Sequence, residues 1–152
     1  MAISFTPLTH DRLNPYISAT SQTIAKGDPV VLNSSGLVEV ATASSAALLG
    51  IAGTAVTSAA AGASILVFDD PEAVIRCKCD TAGENVQTIT GETHDLVGST
   101  GAFYVNSGAT TTNVFRVLQI GVNMDPILDG TFTKFDGGVT MLVKIALHQL
   151  IS

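Results

Sequence analysis

Residues 26–52, KGDPVVLNSSGLVEVATASSAALLGIA, decide how this chain folds. Pro29-Val30-Val31-Leu32 is too short for a helix and rich in β-branched residues, so it reads as a strand. Gly27-Asp28-Pro29 marks its start, because proline fixes φ and the residues before it favour a turn. Asn33-Ser34-Ser35-Gly36 reads as a hairpin loop in which Gly36 can take a positive φ at little cost. Leu37-Val38-Glu39-Val40 pairs back on the first strand. The stretch 41–49, ATASSAALL, has helical propensity in its alanines, but its short length and internal Thr and Ser favour one helical turn or a loop. Leu48-Leu49-Gly50-Ile51-Ala52 then re-enters the sheet as a third strand. Nothing here has the form of an active site. The stretch reads as the first edge of a β-barrel or sandwich.

Upstream, residues 1–16 show no clear period. Ile3, Phe5, Leu8, Leu13 and Tyr16 are interleaved with polar residues and with Pro7 and Pro15. This segment is expected to be an N-terminal arm, lying on its own barrel or on a neighbouring subunit, with a strand tucked into the sheet as the alternative. Those five apolar residues are its candidate partner-binding anchors. Residues 16–25 alternate loosely through Ile17, Ala19 and Ile24, as a strand leading into the turn would.

Downstream, short apolar runs at 54–57 and 65–68 read as strands, and Asp69-Asp70-Pro71-Glu72 breaks the second. Residues 73–80 alternate well: Ala73, Ile75, Cys77 and Cys79 face one way, Val74, Arg76, Lys78 and Asp80 the other. Residues 81–101 are polar with short apolar pairs. Residues 102–105 and 114–120 read as strands, 106–113 as an exposed loop, 123–126 as a break and 130–138 as a turn-rich excursion. In 139–148 the apolar odd positions and the preceding Gly137-Gly138 favour a strand over a helix. The chain is therefore expected to be all-β, a small β-barrel or β-sandwich with little helix: one domain over 17–152 behind the arm.

With 152 residues there is room for a single modest core. Charged residues make up 13%, and the net charge is −6. The seven Lys and Arg are scattered, so no cluster exists to displace counterions, and nucleic acid is not an expected partner. No basic and apolar leader is legible at the start, and no run approaches about 20 apolar residues, so no membrane partner is expected. A mean hydropathy of +0.42 without such a run suggests that a partner covers some aliphatic surface.

No catalytic constellation is legible in the sequence. Gly-x-Ser-x-Gly is absent, and Gly50-Ile51-Ala52-Gly53 lacks the lysine and spacing of a phosphate loop. Cys77 and Cys79, two apart on a strand, put their Cα atoms roughly 6.5 Å apart, too far for an unstrained disulfide, so both are expected as free thiols. Either could pair with His10, His94 or His148, but small core-facing thiols are the simpler reading. A zinc site would have to draw on those same few residues. Asp69, Asp70 and Glu72 could bind a hard cation, although a solvated turn accounts for them. Glu92, His94 and Asp95 read as part of a polar loop. No catalytic residue, metal or cofactor is expected.

Three stretches taken together carry a resemblance: the opening element with its later Gly-Ile-Ala; ILVFDDPEAVIRCKCD at 65–80; and FRVLQIGVNMDP followed by VTMLVKIALHQLIS. In order and spacing they resemble tailed-bacteriophage head decoration (cement) proteins over about residues 24–152. The resemblance implies a small β-tulip-like barrel on the outer surface of an icosahedral capsid, made in the host cytoplasm and often trimeric. Its partner would be the major capsid protein, and its arm would reach an adjacent subunit. A tail or head-fibre component fits the same stretches. A small ligand-binding or hydrolytic barrel using Cys77 and Cys79 is the reading from a different class.

Overall fold

The apolar runs within residues 26–52 fold as strands that carry a core on each face. The computed structural model describes residues 4–9, 12–57, 62–80, 89–120 and 140–150. Their regular structure is nearly all β, as expected. Its strands are β1 (Thr6–Pro7), β2 (Leu13–Ile17), β3 (Pro29–Leu32), β4 (Val38–Val40), β5 (Gly50–Ala52), β6 (Ser64–Phe68), β7 (Ile75–Lys78), β8 (Thr93–Ser99), β9 (Ala102–Asn106), β10 (Phe115–Ile120) and β11 (Thr140–Ile145). A six-stranded sheet runs β1-β7-β11-β10-β8-β9, and a five-stranded sheet runs β2-β6-β5-β3-β4. Neighbouring strands are antiparallel throughout.

Both sheets curl until strands at or next to their two ends meet at one point. Cys79, just past β7, bridges Val105 of β9 in parallel, and the Asp80 N–H donates to the Val105 carbonyl at 3.0 Å. Ser18, just past β2, bridges Val38 of β4 in the same way, and the Ala19 N–H donates to Val38 at 2.8 Å. Closure of this kind shortens the free edges that an open sheet would present.

Two clusters of buried side chains result. The smaller fills the curl of the five-stranded sheet with Ile24, Val30, Val38, Leu49, Ala52, Ile65 and Val67. The larger lies between the six-stranded sheet and the outer face of the five-stranded one, with Phe5, Leu48, Ile51, Leu96, Phe103, Phe115 and Met141. Adjacent residues are therefore divided between the cores. Leu48 and Ile51 enter the larger, Leu49 and Ala52 the smaller. That is why the 26–52 runs are apolar without alternation. β7 has only one buried face and alternates accordingly.

Several expectations change. The described part of the N-terminal segment follows the alternative reading, strands tucked into the sheets: β1 pairs with β7, and β2 pairs with β6 from Leu13↔Phe68 to Ile17↔Ser64. β2 passes through Pro15, which an edge strand tolerates because its outer side needs no donor. The strand expected over 16–25 thus lies earlier, and beyond it only Ser18 and Ile24 make isolated bridges. Residues 41–49 form a loop, one of the two forms expected for them. The polar stretch before 101 contains a full strand, β8, hidden because His94 and Asp95 are buried polar residues. Leu147, expected inward, is exposed because β11 ends at Ile145. The break at 123–126, the excursion at 130–138, Ile3 and His10 lie outside the described residues.

Candidate functional site

β2 has two unlike faces, and each forms a distinct local environment. Its burial alternates, with Leu13, Pro15 and Ile17 outward and Asn14 and Tyr16 inward. Leu13 is 45% exposed and Ile17 42%, so an apolar row stands on the surface. Leu8 is exposed nearby in sequence. The Leu13 side chain and the Phe68 ring both lie against Gly53, where a Cβ would sit 2.9 and 3.2 Å from them. Phe68 also helps to line a cleft of about 210 Å³ with Phe5, Pro7, Lys26, Gly27 and Ala52. The row and the cleft are thus joined through Phe68. Exposed Lys26 sets a cation at the cleft.

The proposed anchors separate on this geometry. Phe5 is fully buried, its ring stacked on Phe115 with centroids 5.0 Å apart, and its N–H donates to the Gly27 carbonyl at 3.1 Å. It anchors the chain's own core. Leu8 and Leu13 stay on the surface. Tyr16 turns inward to a polar cluster. Ile17 was missed as a surface residue, because sequence alternation alone does not say which face is outward.

The inner face of β2 holds a buried carboxylate. Arg12, Asn14 and Tyr16 fall on one face by their spacing of two, and the strand register sets that face toward the end of β6. Asp69, fully buried there, accepts from Asn14 Nδ2 at 3.0 Å on each oxygen and from the Tyr16 hydroxyl at 2.5 Å. Arg12 Nε lies 3.4 Å from Asp69 Oδ1. Burial, then the bond to Asp69 and its charge, push the Tyr16 phenol up to about 12, with Arg12 opposing. This overturns the solvated-turn reading for Asp69. The signal lay in the alternating Arg12, Asn14 and Tyr16.

The other two acids of that turn go elsewhere. Asp70 Oδ1 accepts the Glu72 N–H at 2.9 Å, and Glu72 pairs with Lys144 Nζ at 3.1 Å. Among the described residues no group of three or more His, Cys, Asp and Glu could hold a metal ion.

The sulfur and imidazole candidates are likewise dispersed. Cys77 and Cys79 are buried and no disulfide joins them. Burial, with Cys79 beside it, pushes the Cys77 thiol well above its ordinary value, which disfavours a nucleophilic thiolate. His94 Nδ1 lies 3.2 Å from the Ala109 carbonyl and its Nε2 3.3 Å from Glu92. His148 Nδ1 accepts the Leu150 N–H at 3.0 Å. Asp95 organises the 107–113 loop: its Oδ1 accepts from the Thr112 and Asn113 N–H groups at 2.7 and 2.8 Å, its Oδ2 from Thr111 at 3.0 Å. Burial raises the Asp95 pKa, but those bonds outweigh it and hold the carboxyl below its ordinary value. Asp28, also fully buried, accepts from Ala25 at 2.9 Å and Gly101 at 3.0 Å, tying the 25–28 turn to the β8–β9 hairpin. Burial pushes its carboxyl up.

Neither the known protein families nor the curated proteins contain a match to this chain.

Proposed function

We propose that this chain is a virion structural protein, a decoration protein that binds the outer surface of a tailed-phage head. In this reading a homotrimer stabilises contacts between major capsid subunits without chemistry of its own. The sequence resemblance over 24–152 motivates it. The observation that carries it is the outward row of Leu13, Pro15 and Ile17, joined through Phe68 to the cleft. Such a row is a docking surface in kind: apolar, on a rigid strand, and next to a concave site. Covering the remaining surface of Leu13 and Ile17 stabilises a contact by about 1 kcal/mol each. That is weak alone, but three copies on one trimer raise it through effective concentration. Burial of Cys77 weighs against the hydrolytic alternative.

The test is binding to purified mature heads lacking decoration. The protein is expected to bind them, to reach a copy number comparable to the major capsid protein, and to raise their melting temperature. Leu13→Asn with Ile17→Asn is expected to weaken binding about 10- to 100-fold, measured at a temperature where the variant's own melting curve shows it fully folded. Deleting residues 1–15 would not be informative, because it removes Phe5 and β1 from the fold. Binding to tails alone would move the protein to the tail, and no binding to virions would overturn the reading. Wild-type binding by the double variant would remove the docking face.

A further inference from the structure

The segment after β11 crosses from one sheet to the other, and its chemistry makes that crossing conditional. The Leu48 N–H donates to the Leu147 carbonyl at 2.9 Å, and the Gln149 N–H donates to the Leu48 carbonyl at 2.9 Å. This is the parallel bridge between Leu48 and His148. The Gln149 side chain adds a second clasp: its Oε1 accepts the Leu32 N–H at 2.7 Å and its Nε2 donates to the Leu32 carbonyl at 3.1 Å. β5 pairs with β3 only as far as Val30↔Gly50, so the Gln149 amide occupies the ladder position that β5 leaves open. Residues 147–150 are thus a strap from the six-stranded sheet onto the five-stranded one.

His148 fixes the end of that strap. The residue is 3% exposed, and its Nδ1 accepts the Leu150 N–H at 3.0 Å. A backbone N–H can only donate, so Nδ1 must carry a lone pair and the neutral ring bears its proton on Nε2. That Nε2 is buried and makes no hydrogen bond of good geometry, with the Asp69 backbone as the polar group nearest to it. A second proton has one place to go, Nδ1, and there it meets the Leu150 N–H head-on. We propose that His148 is an acid-operated latch: its protonation removes the acceptor for Leu150 and releases the 147–150 strap from Leu48 and Leu32.

The groups that face the ring set its sensitivity. Burial lowers its affinity for a proton, most strongly of all the influences. The Asp69 charge at the end of β6 pulls the other way and Arg12, just before β2, opposes it, while a hydrogen bond to the Asp69 backbone and the Asp70 charge add to the pull. The closed strap therefore holds the ring below its ordinary value of 6.5, while the released strap restores it. Because the folded value is the depressed one, the closed form is complete above pH 6.5. It is lost as pH falls from there through the folded value.

Amide hydrogen exchange on the full-length protein, read as protection factors across pH 4 to 8, tests the latch. Protection at the Leu48, Gln149 and Leu32 amides is expected to be flat above pH 6.5. Below it, protection falls about tenfold per pH unit until the folded value is reached. His148→Asn places an amide oxygen where Nδ1 stands and cannot titrate, so its strap is expected to keep protection through that window. Gln149→Ala is expected to lower strap protection at every pH while leaving the slope in place, since it removes the clasp and not the proton site. An NMR titration of the His148 ring supplies a reading independent of either variant. A ring titrating at 6.5 or above, a pH-independent strap, or the same acid loss in His148→Asn would each overturn the proposal.

Discussion

Asp69 has no exposed side-chain surface, and Arg12, Asn14 and Tyr16 of the neighbouring strand all turn toward it. A buried polar group is costly unless it is hydrogen-bonded, and these donors supply the partners of both Asp69 oxygens. Removing the Tyr16 hydroxyl leaves one oxygen short of a donor in a dry site. Tyr16→Phe is expected to cost about 1.5–3 kcal/mol at neutral pH, measured by urea unfolding. The pH dependence has a definite sign. Tyr16's folded pKa, about 12, lies above the ordinary 10, so the bond's contribution is complete below pH 10 and lost as pH rises toward 12. The gap in stability between wild type and Tyr16→Phe should therefore close across that window. An absorbance titration comparing the two proteins should assign the high-pH phenol to Tyr16. A gap that persists unchanged to pH 12 would separate the hydroxyl from Asp69.

At the level of elements, close backbone approach decides more than composition does. A Cβ on Gly50 would lie 2.0 Å from the Phe68 carbonyl oxygen, where β5 meets the end of β6. Neither strand can retreat, because one is anchored in both cores and the other leads into Asp69. Gly50→Ala is expected to destabilise by about 3 kcal/mol or more. Gly36 is the contrast: its φ is +76 but nothing stands within 4 Å, so Gly36→Ala should cost only about 1–2 kcal/mol of backbone strain. Denaturant midpoints of the two variants compare them directly. The difference explains what could be read from the chain. The hairpin at Gly36 and the alternation of β7 were legible because local chemistry dictates them. β8 was hidden because His94 and Asp95 are buried by partners far along the sequence, the Ala109 carbonyl and the 111–113 amides. The inward turn of Phe5 was hidden for the same reason, since its stacking partner is Phe115. The buried carboxylate and the outward row are two faces of one strand, and its alternation was obscured by Pro15 at its centre.

For the whole molecule, two cores need not mean two folding units. β3 and β5 send alternate side chains into both clusters: Ile51 and Val31 toward the larger, Ala52 and Val30 toward the smaller. Melting the smaller core would strip the outer face of the five-stranded sheet from the larger one. Losing the larger core would leave that face exposed to water. Asp28 and the 147–150 strap tie the sheets again at two further places. The clusters should therefore unfold together. Differential scanning calorimetry at pH 7.5, where the strap is closed, is expected to show one transition with equal calorimetric and van't Hoff enthalpies. Phe115→Ala in the larger core should cost about 3–5 kcal/mol and Ile65→Ala in the smaller about 2–5 kcal/mol. Each should shift that single transition without splitting it. Two resolved transitions, with each substitution moving only one, would show that the five-stranded sheet holds its own core without the other.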